Sequence, residues 1–126
     1  MAKFLNLTDL KGKSVLDIGC GSGVHTIGFY QLGCRNLTAI DYDPDSIVAT
    51  RQNLEKFCPS AEFTILQGDI LSKEIEFLGK FDIVYSWGVL HHTGDLVQAT
   101  ENSAALVADE GSLAIALYRK TLMCGL

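Results

Sequence analysis

Apolar and polar positions alternate along the chain in blocks. Short apolar, β-branched runs are separated by stretches with helical spacing. Ser14–Ile18 is rich in branched apolar residues, which predicts a strand buried on both faces. Similar runs follow at 36–40, 62–66, 80–86 and 112–117. Between them lie predicted helices at 24–32, 45–57 and 96–107, with a short helix or loop at 72–79. Ile47, Leu54 and Phe57 share one face of the second helix, with Val48 and the stem of Arg51 at its margins. Gly33, Pro59 and Gly79 close the first three helical stretches. Asp43-Pro44-Asp45-Ser46 reads as a helix start, with Asp43 as cap and Pro44 at the first position. Thr93 or Asp95 is the expected cap of the last helix, and Asp109-Glu110-Gly111 an expected turn. Ahead of the first strand, Phe4, Leu5, Leu7 and Leu10 form one face of a short lead-in. The order β-α-β-α-β-(α)-β-α-β predicts an α/β fold, a doubly wound parallel sheet with right-handed crossovers.

The first strand runs into an acid and three alternating glycines, Asp17-Ile18-Gly19-Cys20-Gly21-Ser22-Gly23. Glycine tolerates positive φ and lets a ligand approach the backbone, and the helix that follows presents its N-terminus there. Two nucleotide-binding patterns fail. The dinucleotide fingerprint needs glycine or alanine at 24, where Val24 stands, and no Lys-Ser or Lys-Thr pair follows the glycines. An acid at the strand end suits a ligand with a cationic amine and no pyrophosphate. A tight strand-to-helix connection without a ligand is the plainer reading. Asp41 ends the second strand, about 20 residues on, where an acid can hold ribose hydroxyls. Tyr42 beside it would flank the nucleoside.

The stretch from Asp17 to Gly23 resembles the glycine-rich signature of class I S-adenosylmethionine-dependent methyltransferases. The resemblance implies a Rossmann-like sheet of strand order 3-2-1-4-5. It implies that the turn cradles the methionine end of S-adenosylmethionine, with Asp17 helping to hold the amine. Gly19, Cys20, Gly21, Ser22 and Gly23 would contact the cofactor. Asp69 would accept from the adenine amino group, and Ile70 would pack on the ring. Ser86 and Trp87, at the end of the fourth strand, would complete the site. His91 and His92 are the candidate bases near the expected methyl position, with a packed histidine at a helix start as the alternative. The Asn/Asp-Pro-Pro-Tyr/Phe pattern of methyltransferases acting on exocyclic or amide nitrogens is replaced here by Ser86-Trp87-Gly88-Val89. That favours a small-molecule acceptor, methylated by in-line displacement, with S-adenosylhomocysteine as product. A non-catalytic nucleoside-binding module is the alternative. The usual C-terminal antiparallel strand pair has no counterpart before Leu126, so residues 1–126 read as the cofactor-binding part of a longer enzyme.

Composition narrows the picture further. The chain has 126 residues and a formal net charge of −5. No basic block argues for nucleic acid or an anionic membrane, and no secretory leader is evident. Cysteines at 20, 34, 58 and 124 lack C-x-x-C spacing, so no metal site is expected and reduced thiols in the cytoplasm are. The expected state is a monomer, with a dimer through surface left uncovered by the short C-terminus as the alternative.

Overall fold

The computed structural model describes residues 9–87 and 95–116. Its elements, in chain order, are β1 (Ser14–Ile18), α1 (Val24–Gln31), β2 (Asn36–Asp41), α2 (Pro44–Phe57) and β3 (Glu62–Gln67). A 3-10 helix (Lys73–Leu78), β4 (Phe81–Trp87), α3 (Leu96–Ala104) and β5 (Val107–Ala116) follow. The strands form one sheet in the order β3-β2-β1-β4-β5, and each neighbouring pair is parallel. β1 is therefore central, and its residues Val15 to Ile18 are at most 2% exposed. This is why its apolar residues Val15, Leu16 and Ile18 do not keep to alternate positions.

Two cores flank the sheet. Val15, Leu37, Ile65, Ile83 and Tyr85 pack with Phe29 of α1 and Leu54 of α2. On the other side Leu16, Ile18, Ile40 and Val84 pack with Ile70, Ile75 of the 3-10 helix and Ala99 of α3. The strand registers pair Ile18 with both Ile40 and Ser86, and Asp41 with Gln67. The carboxyl ends of the inner strands thus lie level, and the loops leaving them share one edge of the sheet.

The expected caps form. Asp43 accepts from the Asp45 amide with Pro44 at the first position, and Asp95 accepts from the Gln98 amide at 3.0 Å. Gly33 closes α1 with φ of 105°. Three expectations are corrected. The last helix ends at Ala104, not 107, and β5 begins at Val107. Asp109-Glu110-Gly111 lies inside the strand as an irregularity: the register slips between Phe81 and Ile83, and Glu110 adopts φ of 64°. Gly111 is required there, because a Cβ would sit 2.8 Å from the Asp82 carbonyl oxygen and 2.9 Å from that of Ala108. On α2, Phe57 is 50% exposed, whereas Thr50 is fully buried. The helix turns a threonine inward where an apolar count places phenylalanine, because that threonine serves the glycine turn.

Candidate functional site

The turn after β1 is built by hydrogen bonds from both sides. The Gly19 and Cys20 amides donate to the Ile40 carbonyl at 2.8 and 3.1 Å, and the Gly23 amide donates to the Cys20 carbonyl at 2.8 Å. Gly19, Gly21 and Gly23 all have positive φ, 75°, 58° and 89°. They differ in surroundings. A Cβ on Gly23 would press on Thr50 at 3.3 Å, while one on Gly21 would meet nothing within 4 Å. Gly23 is thus fixed by packing, and Gly21 borders open space.

Asp41 joins the turn to the start of α2. One carboxylate oxygen accepts from the Gly21 amide and the other from the Asp43 amide, both at 2.9 Å. Each oxygen keeps a second lone pair for a further donor. Thr50 of α2 donates to the Gly21 carbonyl at 2.8 Å, and Asn53 to the Ser22 carbonyl at 2.7 Å. Thr50 Oγ1 also lies 3.2 Å from the Cys20 sulfur. Burial pushes the Cys20 thiol up to about 11, against a smaller lowering by the Thr50 contact. The group stays a thiol near neutrality, so a reactive Cys20 is not supported.

Asp17 is 2% exposed and accepts from the Thr26 hydroxyl at 2.6 Å. Its carboxyl is raised from 3.8 to about 6, first by burial and then, after the lowering by Thr26, by the charge of Asp41. Tyr85 pairs with Asp17 in the β1–β4 register. Its hydroxyl lies 2.6 Å from Nδ1 of His25, and the two rings stack with centroids 5.3 Å apart. Burial lowers the His25 imidazole and raises the Tyr85 phenol, so both are neutral near pH 7.

A cavity of about 100 Å³ opens at the carboxyl edge of the sheet. Ile18 and Gly19 line it from β1, Ile40, Asp41 and Tyr42 from β2, and Gly68, Asp69 and Ile70 from the loop after β3. A second cavity of about 170 Å³ shares Ile40, Gly68 and Asp69 with it and extends toward Ser72 and Ile75. Asp69 accepts from the Leu71 amide at 2.9 Å. Ile70 is 4% exposed and belongs to the core, whereas Tyr42 is 75% exposed. The Ser86 hydroxyl, at the end of β4, is fully buried and finds no hydrogen-bond partner among the described residues. Trp87 ends β4. His91 and His92 lie outside the described residues. No group of three or more His, Cys, Asp or Glu among the described residues is placed to hold a metal ion.

Sequence reasoning missed Thr26, Thr50, Asn53 and the His25–Tyr85 pair. Threonine and asparagine on helices carry no periodic signal. Their role depends on which turn lies opposite, and that is set by the sheet order.

A family model described as a methyltransferase domain matches residues 16–113. The chain belongs to that methyltransferase family. A ribosomal protein L11 methyltransferase of Burkholderia thailandensis is 31% identical over 126 aligned residues, covering 90% of this chain and 42% of the relative. Among solved structures, the magnesium protoporphyrin IX methyltransferase of Synechocystis, with bound SAH, has a TM-score of 0.69 at 25% identity, covering 84% of this chain and 48% of that one. The YcgJ protein of Bacillus subtilis has a TM-score of 0.75 at 19% identity, covering 90% of this chain and 47% of that one. The methyltransferase domain described here thus spans about two fifths of the Burkholderia relative and about half of each solved chain. The family match contains the glycine turn, Asp41, Asp69 and the whole of β4.

Proposed function

We propose that residues 1–126 are the cofactor-binding part of an S-adenosylmethionine-dependent methyltransferase acting on a small molecule. The observation that carries this reading is the single cavity that brings Gly19, Asp41, Tyr42, Asp69 and Ile70 together from three strand ends. Asp41 would take the ribose hydroxyls on the lone pairs its amide donors leave, and Asp69 the adenine amine. Ile18, Ile40 and Ile70 would bound the ring, and the turn from Gly19 to Gly23 would carry the amino-acid end, with Asp17 behind it. Two observations support such a group: Gly21 borders open space, and the buried Ser86 hydroxyl, near the end of β4, has no hydrogen-bond partner among the described residues. When bound, the cofactor supplies a methyl group on a sulfonium, already a good leaving group. The chain's part is then to align an acceptor with that carbon, exclude water, and remove a proton where the acceptor needs it. His91 or His92 would do the last.

Calorimetric titration with S-adenosylhomocysteine tests the reading. Saturable binding is expected, weakened at least tenfold by Asp41→Ala, with no binding of NAD. Absence of binding to the wild-type protein would overturn it in favour of a scaffold that keeps the fold. A protein acceptor is the second reading, favoured by the relative from Burkholderia thailandensis. A methyl-transfer screen with small metabolites on one side and ribosomal proteins on the other separates the two.

A further inference from the structure

Two of the contacts that shape the glycine turn come from α2, a helix with no residue in the lining of the cavity. Thr50 and Asn53, one helical turn apart on α2, hold two consecutive carbonyls of the turn, those of Gly21 and Ser22, at 2.8 and 2.7 Å. No described peptide is cis, and in a planar trans peptide the carbonyl and the following amide point in opposite directions. With the Gly21 carbonyl drawn to α2, the Ser22 amide points away from α2. With the Ser22 carbonyl drawn the same way, the Gly23 amide is turned back, and it closes on Cys20 at 2.8 Å. The Gly21 position also borders open space, where a Cβ would meet no atom within 4 Å. Asp41 adds the third tie by accepting from the Gly21 amide. The two carbonyls, which would repel the carboxylate of an amino-acid ligand, are thereby engaged by α2.

We propose that Thr50 and Asn53 are positioning residues that set the orientation of the turn and so govern affinity for the amino-acid end of the cofactor, and not for its nucleoside end. This rests on the function proposed above. Their hydrogen bonds end on the Gly21 and Ser22 carbonyls, so their effect runs through those two peptides.

The test compares two ligands, S-adenosylhomocysteine and adenosine, by calorimetry. Asn53→Leu keeps the shape and removes the donor. It is expected to weaken S-adenosylhomocysteine about tenfold, through a turn no longer held in the binding orientation, and to leave adenosine within about twofold. Thr50→Val should do the same, and Thr50→Ser should restore wild-type affinity. Equal weakening of both ligands in Asn53→Leu overturns the proposal in favour of a general structural role, as does unchanged affinity for S-adenosylhomocysteine. Should Thr50→Val fail to fold, Asn53→Leu decides alone. Amide chemical shifts of Ser22 and Gly23 in ligand-free Asn53→Leu give a readout independent of binding: the Gly23 amide, in the same peptide as the Ser22 carbonyl, is expected to move most, and unmoved shifts overturn the proposal. Failure of the wild-type protein to bind S-adenosylhomocysteine is a separate result and strikes the functional reading itself.

Discussion

Asp17 shows how a strand-end carboxylate is made sensitive to pH. Its folded value of about 6 lies above the ordinary 3.8, so the folded protein binds its proton more readily than the unfolded chain does. Burying the ionised form therefore weakens the fold above pH 6, and that penalty fades as the pH falls from 6 toward 4. Asp17→Asn keeps an acceptor for Thr26 and removes the charge. It should gain stability relative to wild type at pH 7.5, by on the order of 2 kcal/mol, and the gain should shrink toward zero by pH 4. Denaturant melts of both proteins across that range check this; a gain that does not change with pH contradicts it. Gly23 gives a second test. With φ of 89° and Thr50 3.3 Å from a Cβ, Gly23→Ala should cost roughly 1–2 kcal/mol from backbone strain alone, measured as a lowered denaturation midpoint. Asp17, Asp41 and the three glycines were legible in the sequence because an apolar run that stops at an acid and opens into alternating glycines marks a strand end meeting a turn. Thr50 and Asn53 were not, because a polar residue on a helix reads as outward-facing until its neighbour in space is known.

At the scale of elements, the first four strands were legible to within a residue at each end, since the inner strands of a sheet covered on both faces demand apolar-rich runs. The cap of α2 was clear from Asp43-Pro44, and of the two candidates for α3, Thr93 and Asp95, it is Asp95 that caps. The junction of α3 and β5 was not. A charged Asp-Glu-Gly triplet has the composition of a turn, yet β4 holds it in the sheet, with Val107 paired to Phe81 and Ser112 to Ile83. The intervening residues are accommodated by Glu110 in the left-handed region and by a glycine pressed against the Asp82 carbonyl. Gly111→Ala should therefore disrupt pairing locally. Faster amide hydrogen exchange in β5, with β1 and β2 unchanged, is the expected outcome. Asp43→Ala, by contrast, removes a cap and should cost about 1 kcal/mol, read from the same melts.

For the whole molecule, the order β3-β2-β1-β4-β5 was within reach only through the resemblance, because no residue pattern states which strands lie side by side. That order is what gathers Gly19, Asp41 and Asp69 at one sheet edge from positions far apart in the chain. Among the described residues no helix is long and apolar enough to cross a membrane. The net charge of −5 gives no reason for ligand affinity to depend on counterion release, so S-adenosylhomocysteine binding should change less than threefold between 50 and 300 mM salt, roughly, in contrast with the steep loss seen for phosphate-backbone ligands. Calorimetry at the two salt concentrations checks it.

The ties from α2 to the loop after β1 make the distance between them a ruler. Asp43 fixes where the helix begins, and Thr50 and Asn53 fix which of its sides meets Gly21 and Ser22. One residue added or removed between those points turns the downstream half of the helix by about 100°, swinging both donors off their carbonyls. The interval from Asp43 to Thr50 can therefore vary in composition but not in length.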